Sequence, residues 1–409
     1  MYKSDLIIIG AGPAGYRAAE YAAQQGLQVV IVEQDEVGGT CLNRGCIPTK
    51  TYVHSASFSE AVERQGQVVS QLRAGVEGIL ANHNITLLRG HAQFRDATTV
   101  TVGSDIVAAD NIIIATGSKP KLLPLPDISD RRVVTSTELL QLTTQPKRLA
   151  IVGAGVIGME FASVFQRFGT EVTVIEYLKE CLPMLDGDIA KRLRKLLEKR
   201  GITFRMKTAV QTVADIDADI ILMATGRQAN TDGLNLEAAG ITLVPNGTIS
   251  VDDDFLAKEH IYAIGDVNGR QQLAHAAEMQ AVRAVNHIVG RTDGIRFDIM
   301  PAAIFTEPEA ACVGPAEDQL KALGRSYQCY KSFWRANGKA LTMNATEGML
   351  KLFADADQRI IGCHAFGAHA ADLVQEVSVL MCRDTTTSQL RDMVHIHPTL
   401  SEVLRTAVL

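Results

Sequence analysis

Residues 38–50 read Gly38-Gly39-Thr40-Cys41-Leu42-Asn43-Arg44-Gly45-Cys46-Ile47-Pro48-Thr49-Lys50 and hold two cysteines five positions apart. In a regular α-helix, residues at this spacing lie roughly 8 Å apart between Cα atoms, whereas a disulfide needs less than about 7 Å. If Cys41 and Cys46 pair, the backbone must bend, and Gly45 allows the bend. Pro48 suits the first turn of a helix that Lys50 continues. Cys46 then lies near a helix N-terminus, which favours a thiolate. The pair is a candidate redox disulfide, and two buried thiols are the alternative.

A glycine-rich turn precedes this stretch. The apolar run 6–9 predicts a strand, Gly10-Ala11-Gly12-Pro13-Ala14-Gly15 predicts a turn, and a helical pattern continues to Gln25. Residues 28–32 predict a second strand that ends at Glu33. A strand, a glycine turn, a helix, a strand and an acid about twenty positions downstream form the dinucleotide-binding pattern. The glycines let a pyrophosphate approach the helix N-terminus, and Glu33 can accept hydrogen bonds from a ribose. A tight turn without a ligand is the alternative.

The same pattern returns later in the chain. Residues 148–152 predict a strand, Gly153-Ala154-Gly155-Val156-Ile157-Gly158 predicts a turn, and the next strand ends at Glu176. Ala224-Thr225-Gly226 repeats Ala115-Thr116-Gly117, in each case after an apolar strand. An internal repeat of this kind indicates two similar nucleotide domains. The second is predicted to be inserted within the first, to which the chain returns after residue 252.

The composition predicts an ordinary globular protein. The 409 residues are 46% apolar and 21% charged, which is enough for two or three domains. A formal charge of −6 offers no basic surface for nucleic acid or anionic lipid. No apolar run has the length of a membrane span, the start of the chain lacks a secretory signal, and the seven cysteines are scattered. We therefore expect a cytoplasmic protein without a metal site.

The cysteine stretch resembles a known active site. Gly-Gly-Thr-Cys, four residues, then Cys-Ile-Pro-Thr-Lys is similar to the redox centre of the class I pyridine nucleotide–disulfide oxidoreductases, and is closest to dihydrolipoamide (dihydrolipoyl) dehydrogenases. The resemblance implies FAD and NAD as cofactors. It also implies that Cys41 is the interchange thiol that meets the substrate and that Cys46 is the charge-transfer thiol against the flavin.

The resemblance implies the residues that hold each cofactor. For FAD they are Gly10, Gly12, Pro13, Ala14, Gly15, Glu33, Gly39, Thr40, Lys50, Ala115, Thr116, Gly117, Gly265, Asp266, Leu273, Ala274 and His275. For NAD they are Gly153, Gly155, Gly158, Glu176, Ala224 and Gly226. A carboxylate at the end of the second strand, such as Glu176, bonds a free 2′-hydroxyl and repels a 2′-phosphate. The sequence therefore predicts a preference for NAD over NADP.

Two further groups of residues are candidates for a catalytic role. His-Pro-Thr-x-Ser-Glu near the end of the chain places Glu402 where its carboxylate can hold the His397 ring, and a carboxylate on one ring nitrogen fixes the tautomer and raises the basicity of the other. The string resembles the family's catalytic base segment. His395 does not match the position of the base, and we predict that it is a supporting or solvent-facing residue. The family match also implies that Lys50 and Glu160 form an ion pair near the flavin, although each alone is more typical of a surface charge.

The predicted fold is α/β. It has two Rossmann-like dinucleotide-binding domains, the second inserted in the first, followed by a C-terminal α+β dimerisation domain. We predict an FAD-binding domain at 1–146 and 253–297, an NAD-binding domain at 147–252 and an interface domain at 298–409. The chain is shorter than is usual for the family. A long polar helical pattern predicts a helix over about residues 51–82. Residues 201–219 leave little room for the usual β-excursion, and the region after Ser55 is also shortened.

The predicted function is oxidation of dihydrolipoamide, with electrons passing through the Cys41–Cys46 disulfide and FAD to NAD. The partners implied are a second subunit, a carrier domain that bears dihydrolipoamide, and a 2-oxo acid dehydrogenase or glycine cleavage complex. One alternative is an NAD(P)H-dependent reductase of another disulfide, an oxidant, a quinone or a metal ion on the same fold. Another is a flavin-bearing structural or sensor component that binds a partner without turnover, although intact Cys41, Cys46, His397 and Glu402 disfavour a pure binding module.

Overall fold

A computed structural model describes residues 2–409, which form two compact units. The first unit holds the chain up to Ser55 together with Ser59–Lys121 and Gly226–Ile295. The second unit holds Ala56–Phe58, Leu122–Thr225 and Arg296–Leu409. Each unit is therefore built from segments that lie far apart in the sequence.

The elements follow one another in chain order. The strands are β1 (Tyr2–Ile9), β2 (Val29–Glu33), β3 (Ile85–Arg89), β4 (Ala92–Phe94), β5 (Thr99–Val102), β6 (Asp105–Ile114), β7 (Ser118–Pro120), β8 (Val133–Val134), β9 (Arg148–Val152), β10 (Glu171–Ile175), β11 (Thr203–Arg205), β12 (Ile220–Met223), β13 (Arg227–Ala229), β14 (Leu256–Lys258), β15 (Ile261–Ala263), β16 (Ala302–Ile304), β17 (Ala310–Val313), β18 (Gln328–Phe333), β19 (Met349–Ala354) and β20 (Ile360–Phe366). The α-helices are α1 (Pro13–Gln24), α2 (Gly39–Arg44), α3 (Cys46–Val53), α4 (Phe58–Leu80), α5 (Ser136–Leu139), α6 (Val156–Arg167), α7 (Gly187–Lys199), α8 (Ala274–Ile288), α9 (Glu317–Ala322), α10 (Gly338–Thr342), α11 (Ala370–Cys382), α12 (Thr387–Asp392) and α13 (Glu402–Ala407). Short 3₁₀ turns occupy Leu236–Ala239, Gly265–Asn268 and Trp334–Ala336.

The first unit is built on one large sheet. Its main path runs β14-β15-β6-β1-β2-β3, and β4 and β5 extend it from β6. The strands from β15 to β3 are parallel. Leu6, Ile7 and Ile8 of β1 are fully buried, because a parallel strand in the middle of a sheet is covered on both faces. This is why the sequence shows a continuous apolar run rather than an alternating one.

The second unit contains two sheets of different kinds. One is parallel in the order β11-β10-β9-β12-β8. The other is antiparallel in the order β16-β17-β20-β19-β18, and its apolar core includes residues of α11 and α13. The parallel sheet has a glycine turn at the carboxyl end of β9, which is where nucleotides bind in open α/β sheets.

The two glycine turns repeat one another closely. Gly10 N donates to Val32 O at 2.8 Å in the first, and Gly153 N donates to Ile175 O at 2.8 Å in the second. In both copies the turn starts where the central strand ends beside its parallel neighbours. The predicted α/β class and the internal repeat are confirmed.

One predicted element is wrong. The pattern over residues 51–82 predicts a single helix, but α3 ends at Val53 and α4 begins at Phe58. Side-chain bonds accompany the end of the first helix: Ser55 Oγ donates to Thr51 O at 2.8 Å, and Arg64 Nη1 donates to His54 O at 2.9 Å. Ser55 N donates to Tyr52 O at 3.2 Å instead of to Thr51 O, so the side-chain bonds satisfy carbonyls that the ended helix leaves without a backbone donor.

Candidate active site

The two cysteines lie on either side of a sharp break between two short helices. α2 ends at Arg44, Gly45 has φ −141° and ψ −114°, and α3 begins at Cys46. A Cβ atom on Gly45 would lie 2.8 Å from Thr40 O, closer than real Cβ atoms come, and 3.2 Å from Cys41 Cα, which is also a tight contact. The predicted bend at Gly45 is confirmed, as is the place of Pro48 in the first turn of α3.

The thiols of this segment contact each other. Cys41 is partly buried and Cys46 is exposed. The pKa of Cys41 is raised above its usual value, first by a hydrogen bond with the Cys46 side chain and then by burial, while the charge of Lys50 acts in the opposite direction. The geometry therefore permits exchange between a Cys41–Cys46 disulfide and the dithiol.

A hydrogen-bonded brace, which sequence reasoning missed, holds α2 in place. Asn43 Nδ2 donates to Val37 O and Gly39 O, both at 2.9 Å. Arg73 of α4 donates to Asn43 Oδ1 through Nε at 3.0 Å and Nη2 at 2.8 Å. Asn43 is inside the quoted motif, but Arg73 lies thirty positions away and no local pattern marks it.

The first glycine turn fits a bound pyrophosphate. Gly10 has φ +102°, and a Cβ atom there would lie 2.5 Å from Ala115 O. α1 begins after Gly12 without a side-chain cap, so N–H groups of its first turn have no intrahelical acceptor at the positive end of the helix. A Cβ atom on Gly39 would lie 2.6 Å from Gly12 Cα. The start of the cysteine segment therefore packs directly against this turn.

Glu33 is 8% exposed, lies at the end of β2 and stabilises the first glycine turn. Its Oε2 accepts from Ala11 N at 2.7 Å and its Oε1 accepts from Asp35 N at 2.9 Å. Each carboxylate oxygen keeps a further lone pair, since an ionised carboxylate has about four acceptor sites. The residue can thus hold the turn and also accept from a ribose.

A second cluster surrounds Asp266, the predicted flavin contact. Ser118 Oγ donates to Asp266 Oδ2 at 2.5 Å, and Arg227 Nε donates to Ser118 Oγ at 2.6 Å. Burial lowers the pKa of Arg227 while the charge of Asp266 raises it. Gly265 N donates to Gln280 Oε1 at 2.8 Å. Sequence reasoning missed Ser118, Arg227 and Gln280, which are polar residues beside recognised motifs.

The other predicted flavin residues lie at element ends in the first unit. Thr116 Oγ1 donates to Asn230 O at 2.7 Å, and Gly117 has φ +70°. Leu273 is the residue just before α8, and Ala274 and His275 are the first two residues of that helix. Thr40 is in the first turn of α2, and Lys50 is in the last turn of α3.

The second glycine turn has the same architecture. α6 begins after Gly155 without a side-chain cap. Glu176 Oε2 accepts from Ala154 N at 2.6 Å and its Oε1 accepts from Leu178 N at 2.7 Å, as Glu33 does in the first unit. A Cβ atom on Gly153 would lie 2.4 Å from Ala224 O, and Gly226 follows with φ +104°. This turn also fits a dinucleotide.

Glu160 is deeply buried on α6. It is 3% exposed, and its Oε1 accepts from Phe305 N at 2.9 Å. A surface role, the alternative for an isolated acid, does not fit this burial. Lys50 belongs to the first unit and Glu160 to the second, and their ion pair remains a prediction.

His397 and Glu402 are hydrogen-bonded, as the sequence predicts. His397 Nδ1 lies 3.0 Å from Glu402 Oε1, and Thr399 N donates to Glu402 Oε2 at 2.9 Å. The bond from Thr399 N, followed by the His397 contact, lowers the pKa of Glu402. The His397 side chain is 77% exposed, so its Nε2 is available to a substrate.

His395 supports this segment. Its side chain is 7% exposed, and Nε2 lies 3.5 Å from Glu376 Oε1. Glu376 Oε2 also accepts from Ser401 Oγ at 2.9 Å, and Asn337 Nδ2 donates to Thr399 O at 3.0 Å. Sequence reasoning missed Glu376 and the contact of Asn337 because both partners lie on other elements.

No group of residues within 2–409 has the geometry of a metal site. Over the same part of the chain, no helix has the length and apolar character that a membrane crossing requires.

Comparison with known proteins identifies the family. Residues 4–281 match the pyridine nucleotide-disulphide oxidoreductase family, and residues 300–408 match its dimerisation domain. The chain belongs to this family, which confirms the predicted resemblance and fold. Members of the family use FAD and NAD, the cofactors that both glycine turns fit.

The relatives within the family carry more than one name. The chain is 36% identical to dihydrolipoyl dehydrogenase 1, mitochondrial, of Arabidopsis thaliana, over 100% of this chain and 90% of that protein. It is 36% identical to dihydrolipoyl dehydrogenase of Bacillus subtilis, over 99% and 97%. Among solved structures, the Cu(II) complex of HOCl-induced flavoprotein disulfide reductase RclA from Escherichia coli matches with a TM-score of 0.94 and 32% identity, over 100% and 99%.

The alignments also show what the chain lacks. The alignment with the Arabidopsis protein runs over 456 positions, whereas this chain has 409 residues. Between β11 and β12 the structure has no further strand, as the shortness of residues 201–219 predicts.

Proposed function

We propose that this protein is an FAD-dependent oxidoreductase that oxidises dihydrolipoamide and reduces NAD. The observation that carries the proposal is the pair of contacting thiols, Cys41 and Cys46, in a chain that also has an exposed imidazole held by a carboxylate. Such a base is what a dithiol substrate needs, because only the thiolate attacks a disulfide. The names of the relatives and the Gly-Gly-Thr-Cys string support dihydrolipoamide in particular.

Proton transfer opens the reaction. His397 of the partner subunit takes a proton from one substrate thiol on Nε2, since Nδ1 is bonded to Glu402. The substrate thiolate attacks Cys41 Sγ, the Cys41–Cys46 bond breaks, and the electron pair leaves on Cys46. The second substrate thiol then displaces Cys41, which releases the cyclic disulfide and leaves both cysteines reduced. Cys46 at the start of α3 is placed where the helix dipole stabilises its thiolate.

FAD, when bound, carries the two electrons from the dithiol to NAD. The uncapped turns at Gly12 and Gly155 would hold the two pyrophosphates, and Glu33 and Glu176 would accept from the two riboses. Asp266 would bond the flavin side chain, and Lys50 with Glu160 would form the charged pair near its ring. Glu176 has no arginine just after it, which supports NAD over NADP.

The assembly we propose is a homodimer with shared active sites. The match of residues 300–408 to a dimerisation domain supports the dimer. Val394 and Ile396 lie just before the base segment and are 99% and 79% exposed, and a partner subunit would cover them. The three predicted domains, a cytoplasmic location, a lipoyl carrier and a 2-oxo acid dehydrogenase or glycine cleavage complex belong to the same proposal.

A second candidate is an NADH-driven reductase of another oxidant or a metal ion. It is favoured by the TM-score of 0.94 to the Cu(II) complex of RclA and by the positions missing relative to dihydrolipoyl dehydrogenases. Both candidates use the same thiol pair, so only the substrate separates them.

An anaerobic steady-state assay tests the proposal. Dihydrolipoamide with NAD is compared with NADH or NADPH plus glutathione disulfide, a quinone or Cu(II). We expect lipoamide turnover of about 10 s⁻¹ or more, lost in Cys41→Ser and kept in Cys382→Ser, which removes an exposed thiol elsewhere. Absence of lipoamide turnover with rapid reduction of another acceptor would establish the second candidate instead.

A further inference from the structure

A buried ion pair in the second unit is not part of the proposed chemistry. The side chains of Lys351 on β19 and Asp186 before α7 are each 2% exposed. Lys351 Nζ lies 2.8 Å from both carboxylate oxygens of Asp186 and 2.5 Å from Glu317 Oε2. The three ammonium protons therefore have three acceptors. Burial alone would lower the pKa of Lys351. The hydrogen bonds to Asp186 and Glu317 outweigh burial and raise the pKa above its usual value, so the residue stays charged.

Asp186 is held by backbone groups as well. It caps α7 by accepting from Asp188 N at 3.1 Å and Ile189 N at 3.4 Å. Its own N–H donates to His364 Nδ1 at 2.9 Å. Lys351 and His364 face each other in the register of β19 and β20. The antiparallel sheet thus fixes both the side chain and the backbone of Asp186.

The segment just before Asp186 contacts the second glycine turn. Leu182 N donates to Ala154 O at 2.9 Å, and a turn bond from Leu185 N to Leu182 O at 2.9 Å closes the segment. Leu182 is fully buried and has φ +49°. Ala154 is therefore held at its carbonyl by Leu182 and at its N–H by Glu176.

These contacts form one continuous path from the antiparallel sheet to the glycine turn. Burying an ion pair costs free energy that well-packed apolar side chains would not cost, so stability alone does not explain this arrangement. We propose that Lys351 is a positioning residue for nicotinamide nucleotide binding: it fixes Asp186 and, through residues 182–186, the Gly153–Gly158 turn. The inference rests on the proposed function in one respect, that this turn binds the nucleotide.

Calorimetric binding of ADP-ribose to the FAD-loaded enzyme tests the inference, because this probe occupies the turn without any redox step. Lys351→Met should weaken ADP-ribose binding roughly tenfold, the size expected for a residue within a coupled network. The KM for NADH with an artificial acceptor should rise in parallel, while kcat and flavin content stay as in the wild type.

Two further variants separate positioning from stability. Leu352→Ala removes a fully buried side chain beside Lys351; it should lower the melting temperature but leave the Kd unchanged. Lys351→Met/Asp186→Asn leaves no unpaired Asp186 charge, and it should bind weakly even if Lys351→Met does not fold. An unchanged Kd in the Lys351 variants that fold, or an equal Kd shift in Leu352→Ala, would overturn this inference and leave the proposed function intact. Failure of the wild type to bind ADP-ribose would instead overturn the nucleotide site, and this inference with it.

Discussion

His364 is the residue whose charge state the fold constrains most clearly. It is fully buried, its Nδ1 accepts from Asp186 N at 2.9 Å, and its Nε2 donates to Gly314 O at 3.3 Å. Burial lowers the pKa of His364 to about 4, although the charge of Asp186 raises it and that of Lys351 lowers it. The imidazole is therefore neutral at every pH at which the enzyme would work.

This burial predicts a dependence of stability on pH. The unfolded imidazole binds a proton near pH 6.5, but the folded one does so only near pH 4. Between these values the unfolded chain holds more protons, so the free energy of unfolding falls as the pH drops. From pH 7 to pH 5 the loss from this group should be about 2 kcal/mol. Urea unfolding followed by circular dichroism at both pH values measures it.

The matched variants isolate the contribution of His364. In His364→Asn the amide oxygen can still accept from Asp186 N, and the loss between pH 7 and pH 5 should shrink by about 2 kcal/mol. His369→Asn changes a histidine whose side chain is 57% exposed and should leave the loss as in the wild type. Equal pH dependence in the wild type and His364→Asn would contradict the assignment.

Single residues differ in how far the sequence reveals them. Glu33, Glu176, His397 and Glu402 lie in short strings whose spacing already implies the contacts that the structure contains. Lys351 and Asp186 lie 165 positions apart. No local pattern predicts their contact, because it depends on how two distant segments pack.

At the level of elements, the break between α2 and α3 brings the cysteines together. It depends on the absence of a side chain at Gly45, where Thr40 O lies 2.8 Å from the place of a Cβ atom. The helix rise and the disulfide distance were sufficient to predict this break from the sequence. The gap between α3 and α4 was not predictable in this way, because no glycine or proline lies within residues 54–57 and no local pattern marks the bonds of Ser55 and Arg64 at the helix end.

Gly45→Ala should separate the two thiols. The added methyl group must push against Thr40 O and Cys41 Cα, and a displacement of about 1 Å at a reacting centre can cost about a hundredfold in rate. We expect kcat with dihydrolipoamide to fall by about that factor. The fraction of enzyme that re-forms the Cys41–Cys46 disulfide after reduction, measured by alkylation and mass spectrometry, should fall as well.

Gly66→Ala in α4 is the matched control. A Cβ atom at Gly66 meets no atom within 4 Å, and alanine in a helix interior is favoured over glycine by about 0.5–1 kcal/mol. This variant should therefore be slightly more stable and as active as the wild type. Full activity and normal disulfide formation in Gly45→Ala would show that the break tolerates a side chain.

At the scale of the whole molecule, the C-terminal domain exposes apolar side chains that a second subunit would cover. The exposed apolar side chains Val394 and Ile396 stand beside the base segment at 99% and 79% exposure, and the domain that bears them matches a dimerisation domain. The internal repeat and the family strings were sufficient to predict the architecture. Which subunit supplies each half of the active site is not written in any local string, because it depends on the assembly.

A subunit-mixing experiment decides whether the site is shared. Cys41→Ser and His397→Gln enzymes are mixed, and exchange is driven by mild denaturation. Each parent dimer carries two damaged sites and should be nearly inactive. If each site takes its cysteines from one subunit and its base from the other, both lesions of a heterodimer fall in one site and the other site is intact. Random exchange makes about half of the dimers hetero, so activity should recover to roughly a quarter of the wild-type value.

The control mixes Cys41→Ser with Cys46→Ser, two lesions in the same half of the site. In that heterodimer each site contains one damaged cysteine pair, so activity should stay at the level of the parents. Native mass spectrometry shows in both mixtures whether heterodimers have formed. Heterodimers of Cys41→Ser and His397→Gln that form but stay inactive would mean that His397 serves its own subunit or is not the base, and the shared-site mechanism would be wrong.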